Sequence, residues 1–207
     1  MNMNNKEKIT DQYNKIATWF DQARNKDLFE KEYLDLIISF VSSGSVLDLG
    51  CGTGEPLAKF FIEKDYKLVG IDGSQKMIDL CNLRFKHFSN AQFFVADMRN
   101  LRLEEQFDII IAWDSFFHLE ADDQRLMFKI FKSHIKAGGI LAFTSGAEAG
   151  EVWGDNGGEN LYHASLSASE YKKLLKENNF ELIKHEIEDP KCGGHTIWVA
   201  RNCLKSR

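Results

Sequence analysis

Short runs rich in branched and apolar residues alternate with helical patterns through the middle of the chain, and this alternation limits the fold more than any other feature. The runs lie at Val46–Leu49, Lys67–Ile71, Gln92–Val95, Phe107–Ala112 and Ile140–Ser145, with helical patterns at Pro56–Lys64, Ser74–Phe85 and Asp122–Lys136. Strand and helix in turn imply right-handed crossovers and a mostly parallel sheet covered by helices on both faces. The unbroken apolar character of "FDIIIAW" suits a central strand buried on both sides. Two amphipathic segments come first, roughly Ile9–Phe20 and Asp27–Val41, and the spacing of Leu28, Tyr33, Leu34, Ile37, Ile38 and Val41 is helical. Near the end, after a helix around Ser167–Glu177, "FELIKHEIED" and "HTIWVAR" are separated only by "PKCGG". A parallel crossover needs a dozen or more residues, so these two strands pair antiparallel if they pair at all. The expected fold is α/β: a doubly wound, seven-stranded sheet, mostly parallel with the last strand reversed.

At 207 residues the chain fits one domain, 1–207, with an N-terminal helical segment over 1–41 whose first dozen residues read as a frayed tail. Apolar residues make up 43% and charged residues 28%, as in ordinary soluble proteins, and no apolar run approaches the ~20 residues that span a bilayer. The polar N-terminus has no signal-peptide core, so a cytoplasmic location is expected and Cys51, Cys81, Cys192 and Cys203 read as reduced thiols. With no CxxC pair among them, no metal site is expected. A net charge of −5 argues against a nucleic-acid partner. The glycine-rich, acidic stretch 146–164 reads as a long irregular loop and a mobile lid over the acceptor.

"SVLDLGCGTGEP" places Gly50, Gly52 and Gly54 where a strand turns into a helix. Glycines there let backbone approach a ligand, and the helix start offers free N–H groups. A dinucleotide fingerprint needs glycine at 50, 52 and 55, but position 55 is Glu, whose charge disfavours a pyrophosphate. The glycines instead read as room for a ligand that carries positive charge or hydroxyls. Asp72 ends the second strand twenty residues after Gly52, the spacing at which a carboxylate meets ribose hydroxyls. Asp97 and Met98 end the third strand and "WDSFFHL" follows the fourth, so acids and aromatics gather at the carboxyl ends of successive strands.

In order and spacing, "VLDLGCGTG", "VGIDGS", "FVADM", "FDIIIAWDSFFHL" and "KAGGILAFTSG" resemble the class I S-adenosylmethionine-dependent methyltransferases, over about Ile9 to Asn202. "LYHASLSASEY" followed by "GGHTIWVAR" resembles a bacterial small-molecule branch. The resemblance implies a Rossmann-like fold and S-adenosylmethionine as cofactor, released as S-adenosylhomocysteine. It implies that Asp48 and the Gly50–Gly54 turn, Cys51 included, face the methionine part. It places Asp72 on the ribose with Gly73 and Met77 nearby, Asp97 on the adenine amino group, Met98 against the ring, and Trp113 or Asp114 beside the sulfonium. Tyr13 and Trp19 are lid residues by the same resemblance, although core packing accounts for their spacing equally well.

Some readings are structural rather than functional. His87 and His134 lie among lysines on helices and read as solvated, and His185 alternates within a strand and faces out. "CGGH" reads as a glycine turn between strands, too poor in ligands for a metal. A hydroxyl or amine acceptor calls for a base, and His118, then His163, are the expected catalytic residues; a carboxylate acceptor needs none. Phe117, Trp153 and His195 are expected to contact the acceptor, with Phe116 walling the pocket. The expected partner is a small molecule, not nucleic acid or membrane, bound by a monomer or homodimer. Two other functions fit less well: a non-catalytic nucleotide-binding or regulatory protein of the same fold, and an NAD(P)-dependent oxidoreductase.

Overall fold

The branched runs assemble into one sheet in the computed structural model, which describes residues 5–203. In chain order the elements are α1 (Asn5–Ala23), α2 (Lys31–Phe40), β1 (Ser45–Leu49), α3 (Leu57–Ile62), β2 (Lys67–Asp72), α4 (Gln75–Arg84), β3 (Ala91–Val95), β4 (Phe107–Ala112), α5 (Ala121–His134), β5 (Ile135–Ser145), β6 (Gly150–Asn156), β7 (Glu159–Ser165), α6 (Ala168–Glu177), β8 (Phe180–Asp189) and β9 (His195–Asn202). Seven strands pair in the order β3-β2-β1-β4-β5-β9-β8, with β4 in the middle. β9 runs antiparallel to both its neighbours, as the short "PKCGG" connection requires, and the other pairings are parallel.

The two-residue period of the strands sorts their side chains onto two cores. Val46, Ile109, Ile111, Ile140 and Val199 face Tyr33, Leu34 and Ile37 of α2, Phe61 of α3 and Ile78 of α4. Their sequence neighbours Leu47, Ile110, Leu141 and Ala200 face Met127, Phe128 and Phe131 of α5 and Tyr171 of α6. Burial on both faces is why "FDIIIAW" carries no polar alternation. α4 starts where Ser74 Oγ accepts a hydrogen bond from the Met77 N–H, which fixes the helix directly after Asp72.

Four expectations change. The frayed tail is largely helix: α1 begins at Asn5, and only residues 1–4 of that stretch lie outside the described residues. The segment 146–164 is not irregular but forms the hairpin β6–β7, which closes on Gly157 and Gly158 at φ +65° and +84°. Two consecutive left-handed glycines are the signature of a twisted two-residue turn, so "DNGGEN" carried a hairpin signal that the acidic composition masked. The hairpin is docked on the body through Gln12 Nε2 donating to the Asn160 carbonyl at 2.7 Å, an ion pair from Lys15 to Glu159 at 3.2 Å, and Gln124 Nε2 donating to the Ala164 carbonyl at 2.8 Å. His134 is buried, not solvated, because its Nε2 accepts from the Leu103 N–H at 3.0 Å. His185 does not face out either: it stacks on Trp198 with ring centroids 3.5 Å apart.

Candidate active site

The glycine turn is held from below by β2. The N–H groups of Gly50 and Cys51 both donate to the Ile71 carbonyl, at 2.8 and 2.9 Å. Asp72 Oδ2 accepts from the Gly52 N–H at 3.0 Å, and Oδ1 accepts from the Ser74 N–H at 2.8 Å. One carboxylate thus ties the turn to the start of α4, and its remaining lone pairs face the cavity it lines. Burial raises its pKa against those two hydrogen bonds.

The glycines serve different ends. Each has positive φ, +76° at Gly50, +54° at Gly52 and +81° at Gly54. A Cβ on Gly50 would lie 2.3 Å from Ser115 Cβ, and one on Gly54 would lie 2.5 Å from Phe85 Cε2. These two make room for protein. Only at Gly52 does a Cβ meet nothing closer than Phe20 Cε1, at 3.6 Å. Of the three, Gly52 alone has open space where a side chain would stand. The Cys51 thiol turns towards Cys81 beneath the turn, and burial pushes its pKa up.

A cavity of about 330 Å³ opens above β1–β4, lined by Asp72, Gly73, Met77 and Met98 below and by Tyr13 and Phe20 of α1 above. Asp97 also lines it, but its carboxylate accepts from Arg99 Nε at 2.7 Å and Nη2 at 2.6 Å. A smaller space of about 50 Å³ adjoins it, bounded by Asp48, Cys51, Arg24 and Trp113. Phe20, Gly50, Gly52 and Asp114 line both. Burial, and then the Asp72 charge, push Asp48 up to about 7. The buried Trp113 indole N–H has no hydrogen-bond partner among the described residues. Glu55 does not send its charge at a ligand as expected, because Lys26, Lys59 and Arg84 stand 3.0, 3.2 and 3.3 Å from it and hold its carboxyl below the usual range.

Asp114 is the electrostatic centre. It sits at φ +49°, a strained setting for a non-glycine residue, with its N–H donating to Thr144 Oγ1 at 2.8 Å. Arg24 Nη1 approaches its carboxylate at 3.0 Å and His195 Nε2 at 2.9 Å. His195 Nδ1 faces the Cys192 carbonyl, which can only accept, so both ring nitrogens carry protons and the imidazole is a cation. These contacts raise its pKa to about 11, the Asp114 hydrogen bond contributing most. His195 therefore holds Asp114 rather than lining an acceptor pocket.

His118 lies 2.8 Å by Nε2 from the Tyr13 hydroxyl and 2.8 Å by Nδ1 from the Tyr162 carbonyl. His163 packs on it, ring centroids 4.7 Å apart, and with Phe117 borders a further cavity of about 400 Å³ under the hairpin. Trp153 lines none of these cavities; it packs edge-on against Tyr162 at 5.2 Å. Phe116 lies in the core instead of walling a pocket. Trp19 is no lid over the ligand space either. A Cβ on Gly157 would touch its ring at 2.4 Å, so Trp19 seats the hairpin tip. Arg24, Phe20 and Arg99 were missed: they reach the site from a linker, an α1 face and a turn, and no spacing rule marks such positions. Among the described residues no group of three or more His, Cys, Asp or Glu could hold a metal, and no helix is long and apolar enough to cross a membrane.

Residues 46–139 match the family model described as "Methyltransferase domain". The match covers just under half of the chain, from β1 to the start of β5. It is 29% identical over 184 residues to a malonyl-[acyl-carrier protein] O-methyltransferase of Bacillus anthracis, covering 86% of this chain and 64% of the relative. A carboxy-S-adenosyl-L-methionine synthase of Helicobacter pylori (strain Shi470) is 28% identical over 143 residues, covering 61% of this chain and 58% of its own. The chain thus spans about three-fifths of the length of these curated relatives. Two solved structures share its fold. An S-adenosylmethionine-dependent methyltransferase from Clostridium acetobutylicum ATCC 824 superposes with a TM-score of 0.72 at 17% identity, covering 93% of this chain and 99% of its own. The 1,6-didemethyltoxoflavin-N1-methyltransferase of Burkholderia thailandensis, bound to 1,6-didemethyltoxoflavin and S-adenosylhomocysteine, superposes with a TM-score of 0.73 at 16% identity, covering 97% and 87%.

Proposed function

We propose that this protein is a class I methyltransferase that transfers the methyl group of S-adenosylmethionine to a small-molecule acceptor. The observation that carries the reading is the pair of cavities meeting at Asp114. The larger has apolar walls and the Asp72 carboxylate, which suits a nucleoside. The smaller sets the Arg24 guanidinium and the Asp48 carboxyl around an unpartnered indole N–H, which suits a zwitterionic amino acid. S-adenosylmethionine joins those two chemistries. Asp72 and Gly73 would hold the ribose, Met77 and Met98 the base, and Asp48, Arg24 and Trp113 the methionine end. The cofactor supplies an activated methyl group; the protein's part is to align acceptor and methyl, which is worth about 7–11 kcal/mol of barrier. A dinucleotide fits less well, because the Asp48 and Asp114 carboxyl groups border the space beside the glycine turn, where a pyrophosphate would lie.

Residues 1–207 act as one domain, in the cytoplasm, as a monomer or homodimer. A small-molecule acceptor, in keeping with two structural neighbours, the didemethyltoxoflavin N1-methyltransferase and an amino pentose methyltransferase of Micromonospora echinaspora, is favoured over nucleic acid by the net charge of −5. The test is calorimetry with S-adenosylmethionine and NADH, followed by release of S-adenosylhomocysteine with small phenols, alcohols, amines and acids. Asp72→Ala should weaken S-adenosylmethionine binding at least tenfold. Unchanged affinity in that variant, or tighter binding of NADH by the wild type, would sink the reading. Cofactor binding without any transfer would point to the regulatory protein instead.

A further inference from the structure

We propose that Tyr13 takes the acceptor's proton and passes its own to His118, and that the methylated group is a hydroxyl. The inference rests on the methyl-transfer reading above and goes on to name its proton acceptor and substrate class. The geometry at His118 carries it. The Tyr162 carbonyl, 2.8 Å from Nδ1, can only accept a hydrogen bond, so Nδ1 bears the ring's proton. Nε2 of the neutral ring is then a bare lone pair, and the Tyr13 hydroxyl 2.8 Å away donates to it. Both nitrogens are spent inside the protein. His118 can offer no nitrogen to an acceptor, but the Tyr13 oxygen keeps its lone pairs on the wall of the large cavity.

The charges around the pair fit a relay. His118 is faced by Tyr13 from α1, His163 from β7 and Asp114 from the end of β4; burial, the largest influence, pushes it down to about 4, so it stays neutral. Tyr13 is faced by Asp72, Asp114 and Arg24, and burial with the two carboxylates pushes its hydroxyl well above its ordinary value. A resting phenolate is therefore disfavoured, and Tyr13 gains a proton only as it gives one up.

The substrate class follows from the strength of that relay. A hydroxyl becomes strongly acidic as its oxygen is methylated, so a weak base is enough to accept its proton. A protonated amine must lose its proton before attack, to a stronger base than His118. A carboxylate has no proton to give and wants a cation of its own, yet Arg24 lies on the wall of the smaller cavity, where it serves the cofactor's carboxylate, and Arg99 is held by Asp97 and Asp123. In the balanced step the acceptor oxygen bonds to the methyl carbon, and the carbon–sulfur pair stays on sulfur. The acceptor's O–H proton moves to Tyr13 Oη, and the Tyr13 proton moves to His118 Nε2. The resulting imidazolium returns its proton to solvent when product leaves.

The test reads the imidazole directly. Nitrogen-15 NMR of the full chain, with and without S-adenosylhomocysteine, should show His118 protonated on Nδ1 and uncharged from pH 5 to 8. With phenethyl alcohol, 4-methylphenol, phenethylamine and phenylacetate as probe acceptors, methyl transfer should be confined to the two hydroxyl compounds. Tyr13→Phe should lower kcat about 10²–10⁴-fold and leave S-adenosylhomocysteine affinity within about threefold. An Nε2–H tautomer, titration of His118 near 6.5, transfer only to the amine or carboxylate, or an unimpaired Tyr13→Phe enzyme would each overturn the proposal. A wild-type chain that binds no S-adenosylhomocysteine would overturn the methyl-transfer reading, a distinct result.

Discussion

Replacing Gly50 and Gly52 by alanine, one at a time, separates packing from ligand access in the turn. Both positions have positive φ, which costs an L-residue about 1–2 kcal/mol. At Gly50 the new Cβ also falls 2.3 Å from Ser115 Cβ, and Ser115 is tied to the Leu49 carbonyl through its hydroxyl at 2.6 Å. Relieving that overlap adds about 1–3 kcal/mol, so Gly50→Ala should cost about 2–5 kcal/mol in all. In a chain of this size each kcal/mol shifts Tm by roughly 2–4 °C, giving a fall of about 4–20 °C. At Gly52 there is no overlap, and backbone strain alone lowers Tm by about 2–8 °C. Its Cβ would instead stand in the wall shared by both cavities, facing Phe20 at 3.6 Å. Gly52→Ala should therefore weaken S-adenosylhomocysteine binding at least tenfold, about 1.4 kcal/mol. Thermal unfolding without ligand and calorimetry with it measure both quantities. If Gly52→Ala destabilises as much as Gly50→Ala while still binding normally, the division of roles between the glycines is wrong.

Three further outcomes follow from the site's electrostatics and packing. Asp48, pushed up to about 7 from an ordinary carboxylate value, loses its proton less readily folded than unfolded. Its burden on stability grows as pH rises from about 4 to about 7. Asp48→Asn should therefore unfold at higher denaturant than wild type at pH 8, with the gap closing at pH 4. His195 is raised from 6.5 to about 11, so its pairing with Asp114 stabilises fully below 6.5 and fades as pH climbs to 11. The stability lost in His195→Asn should be larger at pH 6 than at pH 10.5, by denaturant titration at both. Trp19→Ala should release the hairpin tip, seen as faster hydrogen exchange over β6–β7, and leave S-adenosylmethionine affinity within about twofold, because Trp19 lines no ligand cavity.

Local patterns were enough for much of the architecture. Strand period, helix period and the length of "PKCGG" are properties of ten or so consecutive residues, and they determine the alternation, the central place of β4 and the reversal of β9. The carboxylate spacing between Gly52 and Asp72 is also local, since one strand–helix–strand unit sets it. Where composition outweighed pattern, as in the acidic glycine-rich 146–164 stretch, a hairpin was taken for a loop.

Protonation states and pairings lay beyond any local pattern. His118 is 105 residues from Tyr13, and His195 is 81 from Asp114. Both are single histidines near strand ends, alike in sequence. Tertiary contacts make one a neutral acceptor, because a carbonyl holds its Nδ1 and burial removes the charge, and the other a cation between a carbonyl and a carboxylate. By itself the sequence determined the sheet, the turn and the place of the Asp72 carboxylate beside it, which depend on backbone periodicity. Only tertiary packing over the strand ends decided which groups hold protons, because a proton's position depends on every partner that folding brings within about 3 Å.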